Sequence, residues 1–203
     1  MFKKIMMLGA ALMLSACAIG NKYEYNKVTP QLGLSSDKAV TVAVSEQRPY
    51  VLSGNKGPDF VGLQRAGFGN PWPVHTSSGA PLATELGQSI AQSLKNDGIS
   101  AQALAVDLRT KPDQVSHDAD RLLFVTMKEW KTDIFTNVTL HWNMQADVAD
   151  QSGAILATNS ITGVQSVEAA AIGEDANSAI AVSNASKKLK DLLGTPEIQQ
   201  AIQ

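Results

Sequence analysis

The sequence predicts a single α+β domain, a mainly antiparallel sheet with two helices packed on one face. Three observations lead there. Val138, Leu140, Trp142, Met144, Ala146 and Val148 alternate with Thr139, His141, Asn143, Gln145 and Asp147, the period of a long strand with one apolar face. Leu82, Leu86, Ile90 and Leu94 recur every fourth residue, the stripe of an amphipathic helix. A chain of 203 residues, 44% hydrophobic and 18% charged, has the composition of one ordinary globular domain.

Taken in order, the domain spans residues 39–203. Ala39 to Val44 alternates and opens it with a strand. Residues 48–79 carry Gly54, Gly57, Pro58, Gly62, Gly67, Gly69, Pro71, Pro73 and Gly79, which read as a long loop crossed by one short strand, Phe60 to Gln64. Within it Gly67-Phe68-Gly69-Asn70-Pro71-Trp72 places two large aromatics among turn formers. Phe68 and Trp72 either cover the domain's own core or offer a partner a rigid apolar contact, and they are the candidate partner-binding residues. Gly67 and Gly69 are not followed by the residues of a phosphate loop.

Pro81 suits a helix's first turn, Glu85, Gln88, Gln92 and Lys95 face away from its stripe, and Asn96-Asp97-Gly98 ends it. Ile99 to Val106 reads as a short strand, and Asp107 to Asp120 as polar turns. From Arg121 the run Leu122-Leu123-Phe124-Val125 predicts a central strand covered on both faces, continuing toward Ile134. After the long alternating strand, Asp150-Gln151-Ser152-Gly153 supplies a turn. Ala154 to Val167 then returns as a Thr- and Ser-rich strand that completes a meander. Glu174 to Leu193 is the second helix, with a stripe of Ala179, Val182, Ala185, Leu189, Leu192 and Leu193; Gly194 stops it and Pro196 opens a short terminal turn.

Catalytic patterns do not emerge. His75, His117 and His141 fit no metal-ligand spacing, so no metal is expected. His75 and His117 are placed in polar loops and His141 on the polar face of its strand. No nucleophile elbow is present. Asp118 with Asp120, and Glu174 with Asp175, read as solvated or helix-capping carboxylates. The chain is therefore expected to be no enzyme and to need no cofactor. Mildly acidic at a net charge of −2 and without long Lys/Arg clusters, it lacks the electrostatic footprint of a nucleic-acid binder, so no nucleic-acid partner is expected.

The first residues set the location. Met1-Phe2-Lys3-Lys4 is a positive start and Ile5 to Leu14 an apolar run too short to span a bilayer, the layout of a secretory leader. Leu14-Ser15-Ala16-Cys17 resembles the lipobox of bacterial lipoproteins. The resemblance implies cleavage of residues 1–16 as a signal peptide, and an S-diacylglycerol and an N-acyl (palmitate-type) chain on Cys17, the lipid-attachment residue. Two or three such chains anchor stably where one does not. Ala18 stands where lipoproteins of the inner membrane typically carry Asp, so the same resemblance implies the outer membrane; the domain is expected to face the periplasm. Losing Lys3 and Lys4 moves the net charge from −2 to −4. Cys17 is the only cysteine, which excludes a disulfide. Residues 17–38 show no period and are expected to form the lipidated N-terminus and a flexible tether.

The leader, linker, strand-helix-strand segment, meander and C-terminal helix together resemble the YajG-like group of uncharacterised outer-membrane lipoproteins, most clearly over Arg121 to Gln203. The stretch 48–79 departs from that pattern. The resemblance implies fold and location and assigns no activity. The expected function is that of a lipid-anchored envelope lipoprotein that touches the membrane through its lipid and binds an envelope protein partner, through an exposed sheet edge or residues 48–79. The alternative is a lipid- or small-molecule-binding accessory of an envelope transport system, which requires an apolar pocket of about 300 Å³ or more.

Overall fold

The computed structural model describes residues 21–65, 69–168 and 174–203. Its strands are β1 (Lys22–Tyr23), β2 (Val40–Glu46), β3 (Phe60–Arg65), β4 (Pro71–Thr76), β5 (Ala101–Leu104), β6 (Arg121–Ile134), β7 (Asn137–Asp150) and β8 (Ile155–Glu168). The helices are α1 (Pro49–Leu52), α2 (Leu82–Asn96), α3 (Glu174–Leu193) and α4 (Pro196–Ile202). The meander β6–β7–β8, both long helices and the turn at Gly153, which sits at φ +84°, lie where the sequence predicts them.

The sheet is mixed rather than mainly antiparallel. β2 runs parallel to both β5 and β6, β3 parallel to β6, and β1 parallel to β4, whereas β3–β4 and the meander are antiparallel. Alternation reveals that a segment is a strand but not which neighbour it takes, and here α2 carries the chain from one side of the sheet to the other. Residues 48–79 are likewise no long loop: α1 and the β3–β4 hairpin fill most of them. Pro71 and Pro73 are tolerated in β4 because β1 pairs with His75 and Thr76, so that among the described residues no strand pairs with either proline on that edge.

α2 and α3 cover the same face. Leu82, Leu86, Ile90 and Leu94 of α2 and Ala185, Leu189, Leu192 and Leu193 of α3 bury against Val40, Val42, Leu123, Val125, Met144 and Ala146. Each fully buried leucine or isoleucine contributes about 1.5–3 kcal/mol. The α3 stripe differs from expectation at its start, where Ala179 is exposed and Asn177, Ser178 and Ala181 are buried. What the sequence offers as a terminal turn is the helix α4, capped by Thr195 and seated through Ile198 and Ile202. On the opposite face a smaller apolar cluster of Ala43, Leu122, Phe124 and Ala149 is covered by Val106 and Val115 of the loop before β6, with Thr41, Ser45 and Thr126 buried beside it.

One edge of β6 serves two strands in succession. β2 pairs with Arg121 to Met127, and β3 with Thr132 to Ile134. Arg48 fills the gap between them. Its guanidinium donates to both Glu46 carboxylate oxygens, at 2.6–3.0 Å, and to the carbonyls of Phe60 (2.6 Å), Trp130 (3.1 Å) and Pro58 (3.1 Å). Backbone acceptors that a strand would have satisfied are satisfied by a side chain instead. Gly62 begins the second junction because any Cβ there would lie 2.3 Å from the Thr132 carbonyl oxygen.

The segment before β2, expected to be a tether, is packed over its described length. Tyr23, Tyr25, Val28, Leu32 and Leu34 are all buried. The Trp130 indole donates to the Tyr25 hydroxyl at 3.0 Å, Ser89 donates to the Val28 carbonyl, and Ser36 donates to Ile202 O at 2.8 Å. Glu85, placed outward by its helical position, is buried here instead and accepts from the Ser78 hydroxyl and the Asn26 backbone N–H.

Burial raises the Glu85 carboxyl above its ordinary range despite these two donors. The folded protein thus holds this proton more tightly than the unfolded chain. The resulting contribution to stability is complete below the ordinary glutamate value of about 4.3 and is lost as pH rises through the raised value. Glu85→Gln is therefore expected to raise the urea midpoint at neutral pH and to lose that advantage near about pH 3.5. An unchanged midpoint at neutral pH would show that burial does not penalise this carboxylate.

Candidate functional site

The sheet ends on β8, which pairs with β7 along one side and, among the described residues, with no strand along the other. From Ile155 to Val167 it contains neither charge nor proline. Exposed edges are commonly blunted by lysine, proline or a bulge, because their free N–H and C=O groups template pairing with another chain. β8 shows one irregularity, opposite Val148 and Ala149 at its start, and is regular thereafter. Ile155 (48%), Leu156 (46%) and Val164 (63%) are among its exposed residues.

The strand is held in place from its covered side. Asn159 donates to the Leu192 carbonyl at 2.7 Å, satisfying an acceptor at the end of α3. Gly163 lies against Trp142, where a Cβ would approach the ring to 2.5 Å, so only glycine lets β8 lie this close. Lys188 of α3 sits 4.2 Å from the same ring's centroid. On the other side a polar surface forms. Thr158 donates to Asp147 at 2.6 Å, Gln145 donates to both Asp147 oxygens, and Thr139 and Ser166 bond at 2.8 Å. The result is a rigid, uncharged strand beside an ordered polar face.

The sequence-derived candidates fall elsewhere. Cys17 and Phe68 lie outside the described residues. Trp72 lies on β4, 49% exposed, and does not join the core. His75 belongs to β4 rather than to a loop, its Nδ1 2.9 Å from Asp59 Oδ2. His117 donates from Nδ1 to Ala119 O at 3.1 Å in the loop before β6. His141 stands on β7 opposite Lys131. The three histidines thus sit on three separate elements, and no cluster of three or more His, Cys, Asp or Glu forms among the described residues.

Two features escaped the sequence. The β8 edge had a signal, the uncharged run Ile155 to Val167, but whether another strand covers it is a matter of topology. The buried Glu46–Arg48 pair had none.

A cleft of about 340 Å³ opens between the start of α2, the end of β2 and the chain after β5. Val44, Ala83, Gly87, Ala103, Val106 and Leu108 line it. Glu46 and Asp107 are the acids at its wall, and Arg48 already engages the Glu46 carboxylate. No described helix is long and apolar enough to cross a membrane.

No family model and no curated protein matches the chain. Among solved structures, a Xanthomonas campestris protein assigned to DUF330 is 13% identical, with a TM-score of 0.54, and the match covers 89% of this chain and 93% of that one. The PelC dodecamer from Paraburkholderia phytofirmans is 17% identical with a TM-score of 0.40, covering 81% and 93%. Lipoprotein GNA1162 from Neisseria meningitidis is 12% identical with a TM-score of 0.30, covering 75% and 98%. At these identities the likeness is one of fold, and the mixed sheet with its helices is shared with the DUF330 protein over nearly the whole of both chains.

Proposed function

We propose that this chain is a non-enzymatic, lipid-anchored lipoprotein of the bacterial outer membrane, facing the periplasm, that binds an envelope protein by strand addition to β8. The uncharged edge from Ile155 to Val167, regular from Ala157 onward and without a strand partner on its outer side among the described residues, carries this reading. In strand addition the main chain supplies affinity and alternate side chains supply specificity; here exposed Leu156 and Val164 and the row of Ser160 and Thr162 would be read. The lipobox at Leu14 to Cys17 supplies the anchor.

A photocrosslinking residue at Thr162, in the full-length protein in native membranes, is expected to trap one discrete species. Leu156→Lys together with Val164→Lys, which add the charges such an edge lacks, is expected to abolish that species and leave the thermal midpoint within about 2 °C. Crosslinking unaffected by the two lysines would exclude the edge as the site. Cys17→Ala is expected to leave an unprocessed precursor or a soluble form, and normal membrane fractionation of that variant would refute the anchor.

The cleft favours one other reading, a small-molecule or lipid-binding accessory of an envelope transport system. Its volume of about 340 Å³ lies at the lower end of the range of ligand pockets. Titration with a fluorescent fatty acid decides this, and absence of saturable binding removes it.

A further inference from the structure

The described chain begins beside one particular end of the sheet. The Asn21 carbonyl accepts from the His75 N–H at 3.0 Å, and its side-chain amide donates to Gln64, the register partner of Trp72. Because β1 runs parallel to β4 with Lys22 opposite His75, the chain enters from the side of Pro71 and Trp72. The same end holds the finish of β6: Gln64 pairs with Ile134, and Phe135 follows in the turn to β7.

Exposed aromatic side chains concentrate there. Trp72 and Phe135 are 49% and 55% exposed, and they are the only strongly exposed large aromatics among the described residues. The other exposed large hydrophobics, Leu104, Leu108, Ile155, Leu156 and Val164, are aliphatic. The end is also tied together. Arg65, one residue past the last β3–β6 register pair, Gln64 with Ile134, holds Asp133 with two hydrogen bonds of 2.8 and 2.7 Å.

Cys17 precedes Asn21 by four residues. Fully extended, four residues reach at most about 14 Å, whatever path they take. The headgroup layer on each side of the hydrocarbon is about 5–8 Å deep. A lipid on Cys17 therefore keeps this end of the sheet close to the bilayer surface, and not free on a long leash. Tryptophan favours that interfacial depth, and phenylalanine on a membrane-facing surface buries at the boundary of headgroups and acyl chains.

We propose that the β3–β4 and β6–β7 end of the sheet is a membrane-contacting surface, with Trp72 and Phe135 resting in the headgroup region of the bilayer that holds the Cys17 lipid. This rests on the lipoprotein reading above. The occupant is the lipid bilayer; the β8 edge remains available to a protein, since it is a side of the sheet and not its end.

The test uses the full lipidated protein reconstituted into phosphatidylethanolamine and phosphatidylglycerol vesicles carrying brominated acyl chains. Lipid mass on the protein and flotation with the vesicles are measured first. Trp72→Phe isolates the emission of Trp72 from that of Trp130 and Trp142. Trp72 emission is expected to be blue-shifted and largely quenched by the brominated lipid, and a tryptophan introduced as Phe135→Trp into the Trp72→Phe background is expected to behave alike. Protein that carries lipid and floats, yet shows unquenched Trp72 emission, overturns the proposal while sparing the anchor. Unquenched emission that becomes shielded only when envelope proteins are added assigns the surface to a protein partner and overturns it too. Protein that neither carries lipid nor floats sinks the anchor, and this surface with it.

Discussion

Arg48→Ala is expected to cost about 3–5 kcal/mol of stability, measured as a shift of the urea or guanidinium unfolding midpoint at constant slope. The side chain is fully buried and Glu46, its partner, nearly so. Alanine would leave that carboxylate uncompensated and would strip donors from the carbonyls of Phe60, Trp130 and Pro58. Removing one member of a buried ion pair is costly for this reason, while replacing both can be close to neutral. Glu46→Gln combined with Arg48→Met is accordingly expected to recover much of the loss. Arg48→Lys keeps the charge but not the fork, so it should fall between wild type and alanine. A cost for Arg48→Ala below about 1 kcal/mol would mean that β2 and β3 hold to β6 without this side chain.

Trp130→Ala is expected to cost about 3–5 kcal/mol, the range for deleting a large buried aromatic. Trp130 meets Tyr25 edge-on, with centroids 6.2 Å apart and planes at 79°, and donates to its hydroxyl. Burial pushes the Tyr25 hydroxyl well above its ordinary range, with the indole donor working the other way, so it stays protonated at neutral pH. Tyr25→Phe should cost about 1–3 kcal/mol, because it leaves the indole N–H buried without its acceptor. The two losses should not add, since the residues share one contact. Both variants should open residues 21–37 to protease before the rest of the domain. Cleavage no faster than in wild type would show that this segment is held by its other contacts.

The legible part of the fold is the part written in regular periods. β6, β7 and β8 follow one another through short turns: β7 alternates over its whole length, β6 announces itself by the apolar run Leu122 to Val125, and β8 returns after the Gly153 turn. α2 is legible for the same reason. The segment 21–37 has no period because it crosses the domain irregularly, burying Tyr23, Tyr25, Val28, Leu32 and Leu34 one at a time. Pro71 and Pro73 read as breakers because their tolerance depends on an edge that only the topology shows. Glu85 and Ser178 were legible as polar, but polarity does not reveal that a donor or an acceptor waits inside: Ser178 accepts from the Glu24 N–H at 3.1 Å. The candidate partner-binding pair fared similarly. Trp72 is identifiable as an aromatic among turn residues, yet its meaning comes from lying at the same sheet end as Phe135 and the start of the described chain.

The shared edge of β6 also orders events in time. β2 with β5, and β3 with β4 and β1, form two separate ladders, and among the described residues β6 is the strand to which both are hydrogen-bonded. A chain emerging from its N-terminus therefore presents two fragments of sheet with no common strand until residue 121 and beyond arrive. β6 must then find β2 across more than seventy residues, a pairing that is slow because a long loop closes before any contact rewards it. The meander forms from neighbours alone and is the natural seed.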